Sequence, residues 1–161
     1  MQIRKARPAD KKELARLVLA FHNFAQKNLS KKQADFREFT DSKKMSEETS
    51  EQYFTKPEFI VVVADESGSL KGFISGEIKN KRLRVHDKAG YVEKWFVEKD
   101  YQNKGIGKEL FDRLAQEFKG ANCTHIELDT HLENKKAMKI YERLGFTKRL
   151  VTFFKLLGDS A

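Results

Sequence analysis

The segment YQNKGIGKEL, Tyr101 to Leu110, constrains this chain more than any other. It sets Gly105 and Gly107 one residue apart at the head of a hydrophobic repeat. Ile106, Leu110, Phe111, Leu114 and Phe118 recur there at helical spacing. A glycine has no Cβ, so its backbone N–H can approach a ligand closely and its dihedrals reach regions other residues resist. The pair therefore opens a helix whose unpaired N–H groups and positive dipole end make a site for an anion. Two phosphate motifs fail there by spacing. A P-loop needs a glycine five residues before the Gly-Lys pair and a hydroxyl residue after it, and Gln102 and Glu109 occupy those places. A dinucleotide-binding turn needs a third glycine three residues after Gly107, where Leu110 stands.

The rest of the chain reads as alternating elements. Gln2 to Ala6 is a short strand. Arg7 to Gln26 is a helix, with Asp10 as its cap, Glu13 completing a box-like arrangement, and Leu14, Leu17, Val18 and Phe21 on one face. A polar stretch from Asn28 to Lys44 precedes a second helix from Ser46 that ends before Pro57. Phe59 to Asn80 reads as two strands around a turn at Glu66–Ser69, the first apolar on both faces and so interior to a sheet. Gly90 to Asp100 is a further strand, followed by the glycine helix, which ends near Gly120. THIELDT from Thr124 is a strand, Asn134 caps a helix that Gly145 ends, and TKRLVTFFKLL from Thr147 is a last strand. The order β-α-α-β-β-β-α-β-α-β predicts one α/β domain over 1–161, a mixed sheet with antiparallel hairpins first and a parallel crossover second. A ligand belongs at the carboxyl end of the strand before the glycine helix.

Composition narrows the partners. The net charge of +8 draws anions, whether a phosphorylated cofactor or nucleic acid. No arginine-rich run interleaved with aromatics marks a nucleic-acid face, so no nucleic-acid partner is expected. One cysteine, Cys123, excludes a disulfide framework, and the first residues lack an apolar signal core. The longest run without a charged residue, Leu17 to Gln26, is too short to span a bilayer. A cytoplasmic protein without a membrane partner is the expectation. No histidine pair has metal spacing, so no metal is expected. His131 reads either as a solvated loop residue or as a second base.

Two motifs together carry a resemblance. Q-x-x-G-x-G, formed by Gln102, Gly105 and Gly107, follows the strand residues WFV. About thirty residues on comes N-x-x-A-x-x-x-Y-x-x-x-G-F, formed by Asn134, Ala137, Tyr141, Gly145 and Phe146. This pattern resembles the GNAT superfamily of acetyl-CoA-dependent N-acetyltransferases, most strongly over Tyr91 to Phe146. The resemblance implies acetyl-CoA as cosubstrate, its diphosphate held by the backbone of Asn103, Lys104, Gly105, Ile106, Gly107 and Lys108 after Gln102. It implies a splayed central sheet, with the strand Glu93–Val97, including Trp95, Phe96 and Val97, pairing the pantetheine arm, and Asn134 as a further contact to that arm. The N–H of Val97 or Phe96 would stabilise the oxyanion.

Glu93 matches a glutamate carried by spermidine/spermine acetyltransferases and similar small-amine enzymes, which makes it the candidate base. Alternation places its side chain on the face of Trp95 and Val97. Tyr141 is the candidate acid for the departing thiolate. The stretch Asp35 to Glu58 holds seven carboxylates against four basic residues, which suits a cationic amine and suits a solvated helix face equally. A small-molecule amine acceptor is expected. A protein or peptide amine, a non-catalytic acyl-CoA sensor on the same fold, and a nucleic-acid-binding module are the alternatives. A homodimer is expected by resemblance.

Overall fold

A computed structural model describes residues 1–155 and 157. The chain forms two compact units, Met1–Asp129 and Thr130–Ala161.

In the first unit, β1 (Gln2–Lys5) leads through a 3-10 turn, Pro8–Asp10, into α1 (Lys11–Lys27). Then come α2 (Lys31–Asp35), α3 (Ser42–Thr55), β2 (Phe59–Glu66), β3 (Ser69–Asn80) and β4 (Lys88–Val97). A second 3-10 turn, Lys99–Tyr101, precedes α4 (Ile106–Gly120) and β5 (His125–Leu128). The five strands lie in the order β1-β2-β3-β4-β5. All pairs are antiparallel except β4–β5, which is parallel and crossed by α4, as a mixed sheet requires.

The sheet buries both faces. Along β2, Val62 and Ala64 pack with Ile74, Val92, Leu110, Leu114 and Phe118 on the α4 side. Val61 and Val63 pack with Leu14, Leu17, Val18, Tyr53 and Phe73 on the side of α1 and α3. Near-continuous apolar sequence in β2 follows from that double burial. Gly76 and Gly90 face the Phe118 ring so closely that a Cβ on either would stand 2.3 Å from it. The core thus takes its largest ring on α4 by removing side chains from the sheet.

One irregularity decides the site. The β3–β4 register shifts between Ser75, which pairs with Lys94, and Gly76, which pairs with Val92. Glu93 is therefore the extra residue of a β-bulge, and side-chain alternation restarts after it.

Three sequence expectations need correcting. Asp10 holds the N-cap position of α1 but makes no side-chain capping bond; its carboxylate accepts from the Arg4 guanidinium at 2.7 and 2.9 Å and from the Arg7 amide at 2.7 Å. The second long helix starts at Ser42 rather than Ser46, because the Asp41 side chain accepts from the Lys44 amide at 2.9 Å and caps it there. The last strand, expected over 147–157, does not form among the described residues 147–155 and 157. Alternation alone cannot make a strand without an edge to pair with, and Leu150, Val151 and Phe153 are exposed. Leu156 lies outside the described residues.

The second unit holds α5 (Lys135–Arg143). The Asn134 side chain accepts from the Ala137 amide at 3.2 Å and caps it, and Gly145, at φ +89°, ends it. Among the described residues no helix is long and apolar enough to cross a membrane, and no group of three or more His, Cys, Asp or Glu could hold a metal ion.

Candidate active site

The turn between β4 and α4 is built for exposed amides. Asn103 has φ +60° and Gly105 φ +84°, left-handed positions that asparagine tolerates and glycine adopts freely. Gly105 is the N-cap residue, and the first ladder bond runs from the Glu109 amide to its carbonyl at 3.1 Å. The amides of Ile106, Gly107 and Lys108 come before that ladder and point out of the helix end.

Gly107 differs from Gly105. Its φ is not positive, and an added Cβ would meet the Trp95 indole nitrogen at 3.6 Å, an ordinary contact. The fold has room for a side chain there, and a glycine in a helix costs roughly 1 kcal/mol against alanine. Packing therefore does not account for the glycine. The two lysines of the turn do not converge on it: Lys108 pairs with Asp112 at 2.6 Å, and the Lys104 ammonium lies 5.2 Å from the Tyr101 ring centre.

The edge of β4 opens beside this turn. Pairing with β5 runs from Ala89–His125 to Val92–Leu128 and stops, whereas pairing with β3 continues to Val97–Gly72. The Glu98 amide donates to the Lys71 carbonyl at 2.9 Å, toward β3. Successive amides along a strand point to opposite sides, so the N–H of Val97 faces the edge that β5 has left and that of Phe96 faces β3. Of the two residues that sequence left open as oxyanion donors, Val97 is the one whose N–H faces the open edge. The Val97 carbonyl accepts from the Gln102 side chain at 2.9 Å. Gln102 thereby closes the strand end.

Glu93 stands on the opposite face from that expected. The bulge turns its side chain toward α3, where its carboxylate accepts from Tyr53 Oη and Ser75 Oγ, both at 3.2 Å. Those two hydroxyls lie 3.0 Å apart. The Lys94 ammonium pairs with the other carboxylate oxygen. Trp95 and Val97 pack on the α4 side, with Trp95 stacked on Phe111 at 5.4 Å. Burial, then the charge of Glu93, pushes the Tyr53 phenol well above its ordinary pKa, so it stays a donor. Lys94 is the chain neighbour of Glu93, but Tyr53 and Ser75 were missed in the sequence, and no spacing signal could have found them: they reach Glu93 from α3 and β3.

The same face carries aromatic rings. Phe96 meets Phe21 and Phe24 of α1 at 6.3 and 5.9 Å, and the Arg37 guanidinium lies 5.9 Å from the centre of Phe21. Three of the seven carboxylates of the acidic stretch have structural partners: Asp41 caps α3, Glu51 pairs with Lys11 at 2.5 Å, and Glu48 reaches Lys44 at 3.9 Å. The stretch forms no concentrated cation site.

In the second unit, Asn134 serves as the α5 cap, and Tyr141 sits on α5 with its ring edge-on to Phe146 at 6.1 Å. Burial pushes the Tyr141 phenol above its ordinary pKa, so it holds its proton at neutral pH. The His131 carbonyl accepts from the Asn134 amide at 2.9 Å.

Within the first unit, a helix end with unladdered amides thus follows a strand whose partner has parted from it. The chain matches the Acetyltransferase (GNAT) family over residues 27–146. It belongs to that family. GNAT acetyltransferases use acetyl-CoA as cosubstrate. N-alpha-acetyltransferase 30 of Xenopus laevis is 35% identical over 78 residues, 45% of this chain and 29% of that protein. An aminoglycoside N(6')-acetyltransferase type 1 of Stenotrophomonas maltophilia is 26% identical over 107 residues, 64% of this chain and 69% of that protein. The chain thus spans less than a third of the Xenopus relative's length. Among solved structures, a tetramutant of the BH1408 protein of Bacillus halodurans superposes with a TM-score of 0.82 at 22% identity, over 98% of this chain and 100% of that one. That likeness shows the GNAT fold. Protein and aminoglycoside acetyltransferases stand together among the relatives of this GNAT chain.

Proposed function

We propose that this protein moves an acetyl group from acetyl-CoA directly to a primary amine of a small molecule. The observation that carries the reading is the carboxylate of Glu93, fixed by Tyr53 and Ser75 on one side of β4 while the Val97 N–H faces the open edge of the same strand.

An alkyl amine has a pKa near ~10.4, so at neutral pH roughly one molecule in a thousand is free to attack. Glu93 takes that proton, directly or through a water, once the amine is docked. The amides of Asn103 to Lys108 hold the diphosphate, the role that a helix N-terminus with spare N–H groups suits. The free edge of β4 from Glu93 to Val97 pairs the pantetheine arm as an added strand would. The Val97 N–H then donates to the carbonyl oxygen as negative charge develops on it. Collapse forms the amide and releases the thiolate, to which Tyr141 supplies a proton by its place in the family pattern. Asn134 contributes to the pantetheine contacts on the same ground. No metal takes part in this scheme. A cytoplasmic homodimer completes the reading.

A protein or peptide N-terminus is the second reading, favoured by relatives named as N-alpha-acetyltransferases. Thiol release from acetyl-CoA, measured across a panel of small amines and short peptides, separates the two. Turnover of the small amines is expected. Turnover confined to peptides overturns the small-molecule assignment, and binding of acetyl-CoA without turnover of anything returns the chain to a sensor.

A further inference from the structure

The face of β4 that carries Glu93 also carries a wall of rings. Lys94 and Phe96 pair with Ser75 and Phe73, alternate residues of β3, so both stand on the side packed by α1 and α3. Two residues along a strand separate Cα atoms by roughly 7 Å. Phe96 joins Phe21 and Phe24 there, and Phe24 keeps 46% of its surface exposed. The wall therefore has a ring the fold leaves partly uncovered, packed on Phe96, which lies two positions along β4 from the Lys94 that pairs with Glu93.

Two charges border it. Lys94 already neutralises one oxygen of Glu93, so the pair attracts a second positive charge only weakly. At the other end, the Arg37 guanidinium is half-buried against the Phe21 ring. Burial alone shifts its pKa, downward, with no carboxylate opposing that shift. A cation partly withdrawn from water and lacking an anion is a place where a bound anion gains.

We infer that the acceptor is a primary monoamine with a flat apolar body and an anionic group: amine at Glu93, body on Phe24 and Phe96, anion at Arg37. The inference rests on the transferase reading above and specifies its substrate class. A polyamine fits this face badly, because with one amine at Glu93 its second ammonium would approach the Arg37 guanidinium.

The test uses the full chain and acetyl-CoA thiol release with three probes: 4-(2-aminoethyl)benzoate, phenethylamine and putrescine. The expected order of kcat/KM is the aryl acid, then phenethylamine, then putrescine. Phe24→Ala should raise KM for both aryl amines about tenfold, as a lost stacking contact of ~1.4 kcal/mol implies, with a smaller change for putrescine. Arg37→Gln should bring the ratio between the aryl acid and phenethylamine down toward one, and Arg37→Lys should restore part of it. Thermal melts and acetyl-CoA affinity establish that the variants fold. Putrescine as the best substrate, or an unmoved ratio in folded Arg37→Gln, overturns the inference and leaves the transferase reading standing. Turnover of none of the three overturns both.

Discussion

At Gly107 the interests of fold and ligand part, which makes the residue a clean probe. A side chain meets only the Trp95 indole at ordinary contact distance, so Gly107→Val should leave the melting temperature within a few degrees of wild type. Its methyls would stand where the diphosphate lies, and acetyl-CoA affinity should fall by at least about a hundredfold, roughly 2.7 kcal/mol. Trp95 is the sole tryptophan, so quenching of its fluorescence reads the binding directly. Glu93→Gln removes the base and keeps the hydrogen-bonding shape; kcat/KM should drop about a hundredfold or more at neutral pH, and the deficit should narrow as alkaline pH frees the amine unaided. A deficit constant across pH assigns Glu93 to amine binding alone. Tyr141→Phe should lower kcat with little effect on cofactor affinity, and wild-type turnover would remove its acid role.

At the scale of elements, the sheet is shaped around one ring. Gly90→Ala places a methyl against the buried Phe118, and overpacking of that kind costs about 1–3 kcal/mol, to be read as a lowered urea midpoint. The sequence pattern made most of these elements legible. Helical periodicity in Leu14, Leu17 and Val18 and in Leu110, Leu114 and Phe118 marks the core faces of α1 and α4, and those residues are fully or almost fully buried. The glycine turn, the Asn134 cap and the Gly145 stop were equally readable, since each is a local backbone need met by a particular residue type. What failed was anything set by a partner strand. The bulge at Glu93 depends on register with β3, and strand order past Thr147 depends on an edge to receive it. Tyr53, forty residues before Glu93, reaches it only through the packing of α3 on the sheet.

Within the first unit, a single cation ties distant segments together. Arg4 of β1 donates to Asp10, at the start of α1, and to Asp65, near the end of β2, at 2.7–3.0 Å. Hydrogen bonding to that guanidinium leads the causes that hold both carboxyls below the ordinary range. Carboxyls depressed in the folded state stabilise it above their unfolded pKa near ~3.9, and that stability is lost as pH falls through the lower folded values. Urea midpoints should therefore decline steeply below about pH 4. Arg4→Gln should lower stability at pH 7 and flatten the acid decline; an equally steep decline in the variant would place the acid-sensitive groups elsewhere. The bulge has a consequence of its own. Because Glu93 is supernumerary, skipping it leaves Val92 opposite Gly76 and Lys94 opposite Ser75 in unbroken alternation, with Trp95 and Val97 still on the α4 layer and Phe96 on the other. Loss of that one position would therefore spare the sheet and remove the carboxylate, whereas losing a residue on the β3 side of the same register would carry every later side chain to the wrong layer.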